Sequence, residues 1–298
     1  MATNARIRPG MIFGITFIHI FACIGIWYWY YFGISVLALF LFWFLVFFSG
    51  FAITIFYHRG MTHRGFQCPR WLSFLSLIGG GMAAEGSLEE WGGTHRHHHG
   101  YTETIRDPHS PHVPYQGWKG LLWAHMLWPC VDHECPSFSD FKENNLIQWQ
   151  KQWYNVIVLF GFLIPFFITG IYGFTQNSLI GFIYSGLEGL FAGGFVRMVV
   201  VWHITWLVNS VCHVFGSRMR DSQGNEYSAD ESRNCWWLAI ITLGEAWHSN
   251  HHADEEYPYH GRVWYQIDLS GMIIRGLALC GLMWDIKTPK MMYSFKKI

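Results

Sequence analysis

Residues 34–63 read ISVLALFLFWFLVFFSGFAITIFYHRGMTH, and two features of that stretch decide the fold. Positions 34–57 carry no charged side chain, a run long enough for a helix to cross a hydrocarbon core about 30 Å thick. His58 and His63 follow at once, so a lipid-crossing helix ends on groups that bind metals.

Working outward, three further apolar runs cover about 11–31, 153–174 and 180–212. Phe32-Gly33 separates the first run from 34–57, and the short uncharged stretch Thr175 to Ser178 separates the last two. The pattern predicts an all-α integral membrane protein with four transmembrane helices arranged as two hairpins. The whole chain agrees: its 298 residues are 51% hydrophobic and only 13% charged, too apolar for an ordinary soluble domain. Formal net charge is zero, which gives no reason to expect a nucleic-acid partner. Arg6 and Arg8 precede the first run, and no small-residue cleavage site follows it, so it reads as a retained span and not a signal peptide.

Lys and Arg orient the spans. Of the 20, 19 lie before the first span, between 58 and 151, or after 217, and by the positive-inside rule these regions face the cytoplasm. Residues 58–151 and 213–298 then form a cytoplasmic helical cap in a single domain spanning 1–298. The exception, Arg197, lies inside the fourth span and needs a partner that the sequence does not name. Two shorter apolar stretches, 71–84 and 267–284, read as interfacial or re-entrant helices. The seven Cys contain no CxxC pair and read as reduced packing residues.

Histidine spacing carries the chemistry. His95, His98 and His99 stand at i, i+3 and i+4, as do His248, His251 and His252, so each trio lies on one helix face. Asn209 and His213 pair in the same way at the end of the fourth span. His58 and His63 differ, because five residues on a regular α-helix leave them about 140° apart. Either Gly60 marks the helix end or each serves a different metal. Nine imidazoles exceed what one ion takes, and two ions with four or five each fit the count. Imidazole alone does not choose between Fe, Zn, Cu and Ni. His19 and His203, isolated in apolar runs, read as packing or hydrogen-bonding residues.

At these residues the chain resembles the membrane fatty acyl desaturases, in particular the stearoyl-type delta-9 branch with its bacterial acyl-CoA and acyl-lipid members. The likeness runs from about Tyr57 to Pro289. It includes the two boxes around His58 and His95, Asp107-Pro-His109, Thr205 through Asn209 to His213, and Gly244-Glu-Ala-Trp-His248-Ser-Asn-His-His252. The resemblance implies a di-iron centre ligated by His58, His63, His95, His98, His99, His213, His248, His251 and His252, with Asn209 contacting one iron through water. It implies O2 as co-substrate, a fatty acyl-CoA or acyl-lipid substrate, and a cis double bond, with delta-9 as the expected position. It also implies an external electron donor of ferredoxin or cytochrome b5 type, for which the basic residues Arg218, Arg220 and Arg233 are a candidate docking surface. A bacterial inner membrane is the expected location, with ER or thylakoid as alternatives.

Trp91, Thr205 and Trp206 match positions lining the bend of the acyl channel in the resembled enzymes; His97 matches no ligand position and, with His109 and His125, reads as lying behind the ligands or at the surface. Two departures stand out. Glu85 replaces the Gln common in relatives, and Lys119 is the one cation kept on the expected headgroup surface. A lipid hydroxylase or another oxygen-dependent acyl oxidase would use the same boxes. A metal transporter would place polar residues near mid-membrane, whereas here the histidine boxes lie outside the expected spans and Arg197 and His203 lie well within one.

Overall fold

The computed structural model describes residues 6–220, 225–226 and 230–289. Of the expected cap, 221–224, 227–229 and 290–298 lie outside the described residues, as does the stretch 1–5 ahead of the first span. Every regular element among the described residues is a helix, and β pairing is confined to isolated bridges such as Ile7 with Val131. Four helices are long and apolar enough to cross a membrane: Pro9–Phe32 (α1), Val36–Thr62 (α2), and the third and fourth spans, Asn145–Gln176 and Ser178–His213. Their outer faces expose large apolar side chains, including Phe13 at 70%, Trp27 at 57% and Ile180 at 66%. Such a belt is stable only against lipid.

The third span starts earlier than its apolar run. The Asn144 side chain accepts from the backbone N–H of Leu146 and Ile147, so the helix begins in the polar stretch before 153. The loop expected at Thr175 to Ser178 contracts to one left-handed residue, Ser178 at φ 73°, within the otherwise helical run Asn145–Gly189. On either side the chain folds back on itself. A Cβ at Gly173 would meet the Gly181 carbonyl at 2.2 Å, one at Gly170 the Phe182 ring at 3.0 Å, and one at Gly189 the Pro165 carbonyl at 2.3 Å. Partner numbers fall as the glycine numbers rise, so the two lengths run antiparallel at a separation only glycine permits.

The first span is joined to the second by Gly33–Ser35, yet it packs chiefly on the fourth, around 190–196. Gly25 is the reason: a Cβ there would sit 2.9 Å from that of Phe191. Arg197, without a partner in the sequence reading, is fully buried and donates to three backbone carbonyls, those of Gly193, Met82 and Gly161. Met82 ends its helix, and Pro165 has no N–H to give the Gly161 carbonyl four residues before it, so these acceptors are spare and the guanidinium ties three elements through them.

Short helices lie outside the spans: α3 (Arg70–Met82) and α4 (Leu88–Tyr101) between the second and third, and α5 (His248–Ala253) and α6 (Leu269–Leu279) after the fourth. Neither α3 nor α6 is long enough to cross. The glycines of α3 turn inward, Gly79 onto Ala52, Gly80 onto Tyr57 and Gly81 onto Ile157, while Trp71 and Leu75 face out. Helix α4 opens with a reciprocal cap, in which Ser87 and Glu90 satisfy each other's backbone N–H groups. Asp268 caps α6 through the N–H of Gly271.

The second span departs from α geometry where it matters. Ala52–Thr62 is a π-helix, extended by a bond from the His63 N–H to the His58 carbonyl of 3.0 Å. Hydrogen bonding from i to i+5 brings residues five apart back to nearly one face. The 140° separation expected of His58 and His63 therefore does not arise, and neither a helix end at Gly60 nor two separate destinations is needed.

Packing at α3 is testable. An added Cβ at Gly80 would lie 2.3 Å from the Tyr57 ring, while one at Gly276 in α6 meets nothing within 4 Å. Gly80→Ala is expected to cost about 1–3 kcal/mol, seen as a lower unfolding temperature in detergent, and Gly276→Ala to leave that temperature unchanged or slightly raised.

Candidate metal centre

Four chain regions, around 58–63, 95–99, 213 and 248–252, converge at one end of the spans. The ring nitrogens of His58, His63, His95, His99 and His251 all lie within 4.8 Å of one another, and so do those of His98, His213, His248 and His252. His99 and His252 stack at 4.3 Å between ring centroids, so the two groups are immediate neighbours. Each helix serves both. On α4, His95 and His99 turn to the first group and His98 to the second; on α5, His248 and His252 turn to the second group and His251 to the first. Helical geometry separates i from i+4 by about 40° and from i+3 by about 60° the other way, so one trio straddles two centres.

The nitrogens meet in an unusual way. Nε2 of His58 lies 3.0 Å from that of His251, His99 3.0 Å from both His251 and His95, and His95 2.9 Å from His63. In the second group His248 is 3.0 Å from both His213 and His252. Meanwhile Nδ1 is engaged on the outside. His58 bonds Glu245 at 2.6 Å, His98 bonds Asp107 at 2.9 Å, His213 bonds Glu103 at 3.1 Å and His252 bonds Asp230 at 2.8 Å, while His99 lies 3.2 Å from the Glu255 carboxylate.

A ring whose Nδ1–H donates to a carboxylate presents Nε2 as a lone pair. Such lone pairs, crowded at about 3 Å, repel unless a cation lies among them. A metal held at about 2.1 Å has neighbouring nitrogens about 3.0 Å apart in octahedral geometry and about 3.4 Å apart in tetrahedral geometry. The 2.9–3.0 Å contacts fit the higher coordination numbers. His98 Nε2, buried and without a hydrogen-bond partner, also fits a ligand.

Electrostatics favour neutral rings. Burial, then repulsion from neighbouring imidazoles, holds His63, His95, His99, His248 and His251 well below the ordinary histidine range. Burial likewise takes His252 down to about 4. At His98 burial is overcome by the Asp107 charge, which raises it, and Asp107 is itself held far below the carboxylate range despite its burial. Behind Glu245 stands Arg59, fully buried, donating to Glu245 through Nε and Nη2 and to Asp268 through Nη1.

Glu103, Asp230, Glu245, Glu255 and His260 have no place in the sequence reading. His260 stacks on His251 at 4.5 Å, and His109 packs on His98 at 4.2 Å. Only Glu245, three residues before His248, offered a local signal; the others come from loops with no fixed spacing to their partners. His97 points away, to the Arg106 carbonyl.

A cavity of about 700 Å³ reaches the first group at His95 and is lined by Glu85, Trp91, Thr205, Trp206 and Asn209. Lys119 is exposed, over the Trp118 ring, and does not line it. Arg218 and Arg220 pair with Glu226, and Arg233 with Glu231, so the candidate docking cations face carboxylates of their own surface. Glu85 bridges two cavity walls, accepting from Thr205 Oγ1 at 2.8 Å and Trp91 Nε1 at 3.1 Å. Burial pushes its carboxyl up to about 7.

Residues 34–262 match the fatty acid desaturase family. The chain is 38% identical to an sn-1 stearoyl-lipid 9-desaturase of Synechocystis sp., over 81% of this chain and 69% of that protein. It is 37% identical to Delta-9 desaturase-like 4 protein of Arabidopsis thaliana, over 80% and 72%, and 36% identical to Delta-9 acyl-lipid desaturase 1 of the same plant, over 81% and 72%.

Glu85 gives a pH test. Its raised value means that the folded chain binds the proton more tightly than the unfolded one, so stability falls as pH rises from about 4.5 to about 7, by about 3 kcal/mol when complete. Glu85→Gln keeps the shape without the charge. Thermal unfolding is expected to show the variant several degrees more stable than the parent at about pH 8 and indistinguishable from it near pH 4.5.

Proposed function

The chain belongs to the fatty acid desaturase family and is a membrane fatty acyl desaturase, and from that premise we propose that it forms a cis delta-9 double bond in a saturated acyl chain, using two irons and O2. His58, His63, His95, His99 and His251 would hold one iron. His98, His213, His248 and His252 would hold the other, with Asn209 reaching an iron through water. With O2 and two electrons, that pair supplies an oxidant able to take hydrogen from unactivated methylenes. The observation that carries this reading is the double set of facing imidazole nitrogens at the end of a cavity sized for an acyl chain.

The protein's own part is positioning. Trp91, Thr205 and Trp206, with Glu85 hydrogen-bonded between two of them, form the wall that sets which methylene reaches His95. A protonated Glu85 suits an apolar occupant. The carboxylates behind the imidazoles fix tautomer and ring orientation, so the ligands need not rearrange.

The substrate is a lipid-bound acyl chain: two of the relatives are lipid desaturases by name, and Lys119 stands apart from the cavity. An external carrier of ferredoxin or cytochrome b5 type supplies the electrons. The four spans form two hairpins, with the metal-binding cap on the cytoplasmic side in a single domain spanning 1–298, an orientation supported by where Lys and Arg lie. A bacterial inner membrane is the setting we assign.

Expression in a strain unable to make unsaturated fatty acids, with lipids profiled by mass spectrometry, is expected to yield delta-9 unsaturated chains. Hydroxylated product without alkene, or purified protein holding one metal per chain, would overturn the reading. His98→Ala and His251→Ala should abolish product and lower bound metal with the protein still in the membrane, whereas Asp107→Asn should reduce turnover about 10–100-fold.

A further inference from the structure

Between the buried residues Asn234 and Glu245 the chain reads CWWLAIITLG, 235–244, with no charged side chain. Its smaller members turn inward: Cys235, Leu238, Ala239, Thr242 and Leu243 are buried. The bulkiest do the reverse. Trp236 is 74% exposed, Trp237 51%, Ile240 58% and Ile241 53%. Spaced at i, i+1, i+4 and i+5 along helical winding, these four share one side, and such a contiguous apolar face is unfavourable in water.

Depth indicates what covers it. A Cβ at Gly50 would lie 2.9 Å from Leu243 Cδ1, so the loop leans on the second span at that residue. One turn further along, Thr54 Oγ1 lies 2.8 Å from the Ser270 hydroxyl, and the Ser270 N–H donates to the Leu243 carbonyl at 2.9 Å. The third span marks the membrane boundary on this side. Gln150 donates to the Tyr57 hydroxyl at 2.7 Å, and its neighbour Lys151 is the last charged residue before Glu188. Tyr57 is therefore level with the last cation, and Gly50 lies further in by about 8–10 Å of helix. The loop rises beside the second span, whose outer side chains near that height, Phe44 and Phe47, are exposed to lipid.

A segment entering lipid must satisfy its own backbone. Here the N–H groups of Leu238, Ala239, Thr242, Leu243 and Gly244 all bond to carbonyls within 235–240. Thr242 spends its hydroxyl on the Leu238 carbonyl at 2.9 Å. The chain then reverses through two left-handed residues, Leu243 at φ 57° and Gly244 at φ 104°, with the Asp268 carboxylate filling the place of a Gly244 side chain. Glu245, which grips His58, comes next, and α5 with its three histidines follows.

We propose that residues 236–241 form a wedge in the leaflet on the metal side, so that the partner of this face is the lipid bilayer, which seats the loop leading to His248. Tryptophan suits such a boundary, being apolar over most of its ring and polar at one edge. Helix α6 continues the same surface: its Ile274 packs with Ile55 and Phe56 of the second span, while Met272 and Leu279 face out. The inference rests on the spans alone, not on the metals or the substrate.

The test places the full chain in phosphatidylcholine nanodiscs doped with a phosphatidylcholine carrying a mid-chain diazirine, irradiates them, and maps adducts by mass spectrometry. Adducts are expected on 236–241 as on the lipid-facing 36–51, and not on the exposed polar residues Lys142 to Asn144. Labelling of 36–51 with none on 236–241 would overturn the proposal, whether water or a second copy of the chain covered that face. Ile240→Glu combined with Ile241→Glu should lower the unfolding temperature in the nanodiscs by several degrees. Ile105→Glu, at a similarly exposed residue beside the Arg106–Glu134 ion pair, should leave that temperature unchanged. A double variant as stable as the parent would equally overturn the proposal, and if that variant failed to fold, the adduct map of the parent would decide.

Discussion

Facing lone pairs are the constraint on which the rest of this molecule depends. Nine imidazoles crowd their Nε2 atoms into two adjacent groups, an arrangement that is unfavourable in itself and becomes favourable only around cations. The chain must therefore force them together from outside. Carboxylates do this directly: Glu245, Asp107, Glu103 and Asp230 each grip a Nδ1. Arg59 and Asp268 do it at one remove, as buried charges that only make sense as a pair with Glu245. The spans provide the platform, since two of them end on His63 and His213.

The same organisation explains why the polar machinery lies just outside the lipid-facing helices. Inside the spans, ionisable groups are few and each has a defined partner: Arg197 with three carbonyls, Glu188 with the Ser35 hydroxyl and backbone N–H, and His19 with His203. None could be left unpaired at that depth without large cost. The cavity wall is the compromise, with Glu85 held in an apolar channel by two donors.

Much of this was legible in the chain. Hydropathy located six of the eight span ends to within two residues, because lipid imposes a length and excludes charge, but the second helix runs on from 57 to Thr62 and the third begins at Asn145 rather than 153, where polar residues continue the winding. Helical spacing brought each histidine trio to one face, but could not show that the middle member serves a different group, since the answer depends on where the second helix stands. The relation of His58 to His63 was misread for a local reason: a π-helix has no composition signature, and the 100° rule fails inside it. Nor could spacing reveal Glu103, Asp230 or His260, which reach the site by tertiary folding alone.

The π-helical stretch has a consequence for how this segment tolerates change in length. From Ala52 to Thr62 the backbone carries more residues per turn than the α-helix leading into it. Five residues at this wider winding cover about the angle of four in an α-helix, so losing one residue within 53–57 as ordinary winding resumes would leave His58 on nearly the same face. The same loss within 36–51, where the winding is already α, would turn everything beyond it by about 100° and point an imidazole into lipid. A related sequence that is one residue shorter can therefore keep this site only if the missing residue comes from the wide turns.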